Sequence, residues 1–599
     1  MLRKILLPTI LLVLAYGFWV SPNFKAIAAG VAIFLFGMLS LEEGFRAFTG
    51  GALDRILKRS TSSTAKSMMF GIVSTTVMQS SSLVSVIAIS FLSAGLITLA
   101  AGIGIIFGAN LGTTTGAWLI AGFGLKVNIA AYAMPMLVFG VILVFQSSKA
   151  LRGVGYILAG LGFLFLGIHY MKEGFETFKE TINLAEYAIP GLLGVLVFAG
   201  IGIFATVVMQ SSHATLVLTI TALAAGQITY ENGLGLAIGA NVGTTITAIL
   251  GAMSANHDGR RLAAAHLVFN VVTGIIAIAF IYQIMAVVDG VSGMMGIAGD
   301  DYTLKLAVFH TIFNLLGIIV MVPLLNKLVT GLIKFIPEKK PDIDQPRYLA
   351  SSSAEFPGTA VQAVRMETER VFQATVDIIL QGFGMKKDLV LSGAELEPAL
   401  AEQELIKECS VESLYQKHIK GIYGAIVAFI SHTDFSRSDE SSIGLQRLRE
   451  ANTHLVEAVK DTEELHVNLR RYIGPDNEVM RKAYDRLRLQ VGLLIRDIEE
   501  IRASADDSVD SSSLDALRLV ADEDKKLNQQ AVSELMGQGV VSPAMGSSLI
   551  NDSVFSHHLS KNIITAAKTL LAVRAIDQGE AGEDVSLDES DLSNISKVA

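Results

Sequence analysis

The chain is short of the residues that carry most enzyme chemistry. It holds one cysteine in 599 residues, Cys409, which excludes an intramolecular disulfide, and the polar helical stretch around it offers no metal-ligand spacing. There is no glycine-rich phosphate loop, no metal-ligand cluster and no Ser, His and acid arrangement at a recognisable spacing, so an enzyme is not expected. Charge is scarce too, at 17% of residues against 51% hydrophobic, and the scarcity is uneven. Residues 1–340 hold 20 Lys/Arg and 13 Asp/Glu, a net of +7, while residues 341–599 hold 27 and 43, a net of −16. The pI near 5.7 therefore averages two unlike bodies and says nothing about the partners of either.

What fills the first body is apolar sequence of membrane-spanning length. The start, MLRKILLPTILLVLAYGFWV, has a basic head and an apolar middle, but Ser21, Pro22 and Asn23 follow in place of a small-x-small cleavage site, so a retained first span is expected. Further spans are expected near 26–41, 97–121, 127–146, 153–171, 229–251, 262–283 and 305–325. That makes eight crossings.

One long phrase occurs twice. TTVMQSSSLVSVIAI from Thr75 is followed by FGANLGTTTGAWL from Phe107, and TVVMQSSHATLVLTI from Thr206 by IGANVGTTITAIL from Ile238, both pieces at one offset of 131 residues. LFGMLSLEEGF from Leu35 and FLGIHYMKEGF from Phe165 repeat at an offset of 130. A period this long suits two halves of a transporter rather than a solenoid. Each copy places polar residues inside a segment otherwise fit for lipid, which costs free energy and asks for a functional reason.

The apolar stretches 67–94 and 198–226 carry the Gln-Ser-Ser tripeptides at their middles. Read as re-entrant helical hairpins, they leave fifteen Lys/Arg on the side of the N-terminus and five on the other, a strong positive-inside bias that makes that side cytoplasmic. Three crossings then separate the repeats, so the duplication is expected to be inverted, the architecture of alternating access. The second polar element, Gly-Ala-Asn-x-Gly-Thr-Thr at Gly108–Thr114 and Gly239–Thr245, has glycines that weaken a helix by roughly 1 kcal/mol each, so each of these spans is expected to be a broken helix. Half-helix ends and hairpin tips would converge near the midplane, amides suiting an anion and carbonyls and hydroxyls a sodium ion. No Asp, Glu, Lys or Arg lies in either tip or either unwound segment, so a bound divalent anion needs neutralising by a cotransported cation.

These paired motifs resemble the sodium/phosphate cotransporter family, bacterial relatives of the type II sodium-dependent phosphate transporters, over about residues 26–325. The resemblance implies sodium-coupled transport of inorganic phosphate across the bacterial inner membrane. It assigns substrate binding to Gln79, Ser80, Ser81, Ser82, Gln210, Ser211, Ser212 and His213, and sodium binding or site lining to Asn110, Thr113, Thr114, Asn241, Thr244 and Thr245. His213 departs from the pattern, standing where a third serine belongs; it either bonds phosphate or couples transport to pH, or is a neutral packing residue. No cofactor is implied beyond sodium as coupling ion, and no metal other than sodium. The same architecture carrying another anion, such as a dicarboxylate or sulfate, and a membrane-anchored regulator remain open.

Elsewhere structural readings lead. His266 with Asn270 and His310 with Asn314 each place a His-x-x-x-Asn pair on one helix face, suggesting interhelical hydrogen bonds. Glu42, Glu43, Lys172 and Glu173 sit at expected span ends and read as interfacial, and His169 receives no role.

Past Pro337 the composition becomes that of soluble helices, expected near 359–396, 399–432, 442–472, 476–505, 513–540 and 542–575, with breaks at Gly474-Pro475 and in DDSVDSSS from Asp506. Six such helices make two three-helix units or one longer bundle. The region resembles the PhoU-type helical domain, but Glu412 in VESLYQKHI lacks the second acid of that family's metal repeats, so no metal is expected there.

The expected fold class is thus all-α: a polytopic membrane protein of two inverted repeats, each with a re-entrant hairpin and a broken helix, followed by a soluble helical bundle. The division runs 1–25, an N-terminal span; 26–150 and 151–285, the repeats; 286–336, the last span; 337–358, a linker; 359–576, the helical domain; and 577–599, an acidic disordered tail. Both termini are expected in the cytoplasm. Phosphate, sodium and lipid are the expected partners and nucleic acid is not; a homodimer and a cytoplasmic regulatory partner are compatible with this reading.

Overall fold

In the computed structural model the described residues are 11–12, 14–46, 61–124, 129–179, 186, 188–253, 255–338, 343–350, 353–354, 357–401, 409–433, 440–473, 477–503 and 507–578. They are helical with no strand among them, and the chain divides into two units at Glu338 and Lys339. The first half of the expected opening span and nearly all of the expected acidic tail lie outside the described residues.

The first unit contains α1 (Pro22–Arg46), α2 (Thr64–Met78), α3 (Ser81–Ser93), α4 (Leu99–Gly112), α5 (Thr114–Trp118), α6 (Ile129–Val144), α7 (Lys149–Lys179), α8 (Gly191–Met209), α9 (Ser212–Ala224), α10 (Tyr230–Gly243), α11 (Thr245–Ala252), α12 (His257–Ala279), α13 (Ile281–Met294), α14 (Tyr302–Met321) and α15 (Leu325–Phe335). Seven segments among the described residues are long and apolar enough to cross a membrane: 24–45, 99–122, 149–177, 191–209, 230–252, 257–279 and 302–321. The chain is a multi-pass membrane protein. Two expectations shift: α8 begins at Gly191 and, at 19 residues, is long enough to cross by itself, and the span drawn as 262–283 stops at Ala279, with Phe280 out of helical geometry before α13.

Helix packing here is set by glycine, because apolar helices in lipid gain by close backbone approach rather than by escaping water. A Cβ on Gly104 would lie 3.2 Å from Thr64 O, one on Gly108 2.0 Å from Met68 O, and one on Gly112 2.7 Å from Ile72 O. Residue numbers rise together along both helices, so α2 and α4 are parallel and α3 between them must run back, which makes α2–α3 a hairpin. Gly239 against Ala199 O at 2.0 Å and Gly235 against Val195 O at 2.6 Å repeat the arrangement for α8 and α10. α1 and α7, counterparts in the two repeats, pack antiparallel through Gly30, Gly37 and Gly44 on one helix and Gly153, Gly160 and Gly167 on the other.

These contacts correct the reading of the Gly-Ala-Asn segments. The glycines do not unwind their helices; they stay helical and admit a neighbouring backbone. The interruptions fall at Thr113 and Thr244, single residues between helices, where the Thr113 and Thr244 hydroxyls donate to Ala109 O and Ala240 O, both at 2.9 Å, and those of Thr114 and Thr245 donate to Leu111 O and Val242 O, both at 2.8 Å. Carbonyls expected to be free for a cation are taken by these hydroxyls.

The second unit contains α16 (Pro357–Gly382), α17 (Lys387–Val390), α18 (Leu396–Ala401), α19 (Val411–His418), α20 (Lys420–Ser431), α21 (Glu440–Tyr472), α22 (Glu478–Ala503), α23 (Asp507–Gly537) and α24 (Pro543–Gln578). One hydrophobic core runs through it from Ala360 to Val573, so it is a single bundle and not two three-helix units. The expected helix 359–396 ends early because Gly384 takes a left-handed φ of 65° and the Met385 amide returns to Leu380 O at 2.7 Å, a Schellman closure. The expected helix 399–432 is broken as well, into α18, α19 and α20, and α23 starts at Asp507, inside the run read as a break. Arg488 is fully buried, its guanidinium donating to Phe383 O at 2.9 Å and pairing with Asp485 at 2.8 Å, which supplies the partners a buried charge requires.

Candidate functional site

Each Gln-Ser-Ser tripeptide forms a hairpin tip by the same backbone route. Gln79 and Gln210 are the two non-glycine residues with positive φ among the described residues, at 52° and 54°, in the left-handed conformation that ends α2 and α8. Glutamine, unlike glycine or asparagine, is an unusual occupant of that region and pays a steric penalty to be there. The next residues, Ser80 and Ser211, are extended and serve as N-caps, their Oγ atoms accepting from Leu83 N at 3.2 Å and Ala214 N at 3.1 Å. The helices α3 and α9 therefore start at the tips, with the first-turn amides of residues 81–82 and 212–213 left for something else.

Both tips open on one cavity of about 370 Å³. Its wall contains Gln79, Ser80, Ser81, Ser82, Thr113, Gln210, Ser211, Ser212 and His213, and adds Glu42 and Thr247, which sequence reading did not place there, with Leu35, Met38, Leu39, Val208 and Met209 as the apolar part. Asn110, Thr114, Asn241, Thr244 and Thr245 are buried outside that wall. Helical spacing accounts for Glu42: Leu35, Met38, Leu39 and Glu42 share one face of α1, and Met38 Sδ lies 3.5 Å from Ser211 Oγ. A larger groove of about 690 Å³ lies in the second unit, but Arg486, Lys525, Asp497 and Asp524 line it with mixed charge and it includes none of the duplicated residues.

At one contact the two repeats differ. In one, the hydroxyls of Ser82 and Thr247 meet at 3.2 Å. The counterparts at the 131-residue offset are His213 and Gly116, and there the imidazole covers the glycine so closely that a Cβ would lie 2.2 Å from His213 Nε2 and 2.9 Å from Gln79 Oε1. A small-with-medium pair has been exchanged for a large-with-none pair. Phe34 stacks on the ring, with centroids 6.2 Å apart, and Nδ1 has no hydrogen-bond partner among the described residues. The same logic explains Thr75, whose buried hydroxyl has no partner among the described residues: its counterpart Thr206 bonds Thr215 at 2.8 Å, but the counterpart of Thr215 is Val84.

Behind the tips, Asn241 Nδ2 donates to Asn270 Oδ1 at 3.2 Å and to Asn314 Oδ1 at 3.0 Å, tying α10, α12 and α14 together. The expected interhelical bonds are therefore made by the asparagines. His266, fully buried, has neither ring nitrogen bonded among the described residues. Asn110, the counterpart of Asn241, donates within its own helix, to Ile106 O at 2.9 Å. The half-helix α5 is pinned by Trp118 Nε1 donating to Thr311 Oγ1 at 2.9 Å.

The cavity can accept an anion: two helix N-termini, hydroxyls and carboxamides face it, and among the described residues no Lys or Arg is in its wall. The model of the family described as Na+/Pi-cotransporter matches residues 33–173 and 194–298, which hold both Gln-Ser-Ser tips and both Gly-Ala-Asn segments. The chain is 27% identical over 359 residues to the "Putative inorganic phosphate export protein YjbB" of Escherichia coli, a match covering 58% of this chain and 62% of that protein. The Salmonella typhimurium protein of the same name is 26% identical over the same length. The "Uncharacterized protein YqeW" of Bacillus subtilis is 26% identical over 320 residues, 52% of this chain and 97% of that one. No solved structure matches.

Proposed function

We propose, on the match of its membrane unit to the Na+/Pi-cotransporter family, that this protein carries inorganic phosphate across the bacterial inner membrane by alternating access, coupled to sodium, with both termini cytoplasmic. The observation that carries the reading is the convergence of two helix N-termini, capped by Ser80 and Ser211, on one cavity. Each offers first-turn amides and the positive end of a helix dipole, and Ser81, Ser82 and Ser212 add hydroxyls that can donate to phosphate while accepting toward a cation. Phosphate would sit between the tips, where it touches both repeats at once. The antiparallel run of α1 and α7 supports an inverted duplication, in which closing the cavity on one side opens it on the other. The second unit is assigned the role of regulator.

The test is uptake of radiolabelled phosphate into proteoliposomes under an inward sodium gradient, with an equal potassium gradient as control and both orientations loaded so that export is read too. Sodium-dependent movement lost in Gln79→Ala and Gln210→Ala is the expected result; movement equal under both gradients would remove sodium from the mechanism, and sulfate or a dicarboxylate outcompeting phosphate would change the substrate. Ser81→Ala and Ser212→Ala remove one hydroxyl each without touching a cap, and each should lower uptake by about tenfold or more, the worth of a hydrogen bond to a charged group. Uptake at the wild-type rate in both would place the anion elsewhere.

A further inference from the structure

The helix α15 has 11 residues, about 16 Å of length, and is too short to cross a bilayer. It follows α14, which is long enough to cross and ends at Met321. The turn between them runs through Pro323 and is closed by the Leu324 and Leu325 amides, which donate to Met321 O and Val322 O, both at 3.1 Å. So short a turn leaves α15 at the bilayer face where α14 ends. Its other end is held as well. Arg261, near the start of α12 and buried, donates from Nε and Nη2 to Ile336 O at 2.9 and 2.7 Å, while its Nη1 pairs with Asp258 at 2.6 Å. Packed on α4 and α12 and fixed at both ends, α15 presents its sides in set directions. Leu325 and Leu332 make the buried side. Leu324 and Phe335, eleven residues apart and therefore on one stripe, are 40% and 84% exposed, and Ile333 is exposed on the flank across from them. Lys327 and Lys334 are exposed between the two flanks.

We propose that α15 is an interfacial helix that binds anionic phospholipid, with Leu324 and Phe335 in the boundary between headgroups and acyl chains and Lys327 and Lys334 on the lipid phosphates. A phenylalanine as exposed as Phe335 gains nothing from water, and at the face of a membrane-spanning bundle the apolar phase is within reach of its ring. The lysines have long apolar stems that lie along the same boundary while their ammonium groups stay at headgroup level. Charge selects the lipid. Residues 322–340 hold four lysines and one acid, a net of +3, and Arg260, exposed, stands next to the Arg261 that grips the end of the helix. A basic side chain near an anionic surface is worth about fivefold in affinity, and the attraction weakens as salt rises. The lipid hold reaches further than α15 itself. Through Arg261 it bears on α12, the helix that carries Asn270 of the asparagine cluster behind the tips. The proposal is independent of what the cavity carries.

The experiment places a dye whose emission reports polarity on Phe335→Cys in a Cys409→Ser background, which leaves one thiol in the full chain. The labelled chain is reconstituted in phosphatidylcholine vesicles containing rising fractions of phosphatidylglycerol. Emission should move to shorter wavelength as phosphatidylglycerol is added. Adding Lys327→Gln and Lys334→Gln together should raise the fraction needed for half the shift by at least about fivefold, and high salt should raise it in the parent chain. Lys149→Gln with Arg152→Gln removes an exposed basic pair from the start of α7 and should leave that fraction unchanged. Should the cysteine at 335 spoil folding, Leu324→Cys reads the same stripe. Emission characteristic of water at every lipid composition overturns the proposal. So does an apolar signal indifferent to phosphatidylglycerol, which would mean that another part of the protein covers this side of α15. An equal effect of the α7 pair overturns it too, by reducing the charge effect to a general property of the span ends.

Discussion

Gly116→Ala should reduce transport to below about a tenth of the wild-type rate, and adding His213→Ser should restore it. A Cβ at position 116 would lie 1.7 Å from His213 Cε1 and 2.2 Å from Nε2, well inside contact distance. The ring cannot step aside cheaply. It is 5% exposed, has Phe34 stacked on it, and stands on the first turn of α9, so displacing it displaces the tip. Gln79 Oε1, 2.9 Å from the same point, would be pushed too, and the methyl group would disturb both tips together. The other repeat supplies the remedy: with serine at the tip, Thr247 is accommodated without conflict. Uptake measured for both single variants and the double therefore forms a cycle. A double variant as inactive as Gly116→Ala alone would mean that the glycine is needed for something other than room for the imidazole.

Gly108→Ala and Gly239→Ala should each destabilise the membrane unit by about 3 kcal/mol or more, at the upper end of what overpacking costs. The atoms a new methyl group would meet, Met68 O and Ala199 O at 2.0 Å, belong to backbone, which has no rotamer to change. The paired helices would have to separate along their length, and the tip carried at the end of each first arm would move with them. Thermal unfolding of the purified chain reads the effect as a fall in midpoint. Gly200→Ala is the control: it lies on α8 beside Ala199, and nothing stands within 4 Å of its Cβ position, so helix propensity alone should leave stability equal or slightly higher. Equal midpoints for Gly239→Ala and Gly200→Ala would refute the backbone contact.

The residues that make the tips were legible in the sequence because a polar run inside an apolar segment has few explanations, and its recurrence at one offset removes most of those. Gln79 and Gln210 then turned out to hold the left-handed position that closes each first arm, a local role a reader of the sequence has no means to separate from ligand binding. The glycines of Gly-Ala-Asn-x-Gly were read for the wrong property. Glycine weakens a helix and also lets a backbone approach, and which effect acts at Gly108 depends on Met68, forty residues away. Glu42 was illegible for a related reason. Its place near a span end marks it as interfacial, and only the rotation of α1 about its own axis, set by packing on α7, turns its face toward the tips. Helix boundaries in the second unit were missed both at a left-handed glycine, Gly384, through which the expected helix 359–396 was drawn, and at Asp507, where a helix starts inside a run that is merely polar.

The glycine seam between α1 and α7 has a further property. Gly37 faces Leu164 N at 2.6 Å and Gly160 O at 2.8 Å, while Gly167, its counterpart, faces Phe34 N at 2.6 Å and Gly30 O at 2.7 Å. Each contact is the other shifted by 130 residues in both partners, and Gly30 against Met171 pairs in the same way with Gly160 against Leu41. This is the rule of an isologous interface, in which residue i meets j and j meets i, as in a two-fold dimer of identical subunits. The seam has the symmetry of a homodimer interface, within one polypeptide. Its consequence is evolutionary: one gene copy, translated twice, would already have carried a self-complementary surface, and fusion then freed each half to change alone, as position 213 has done.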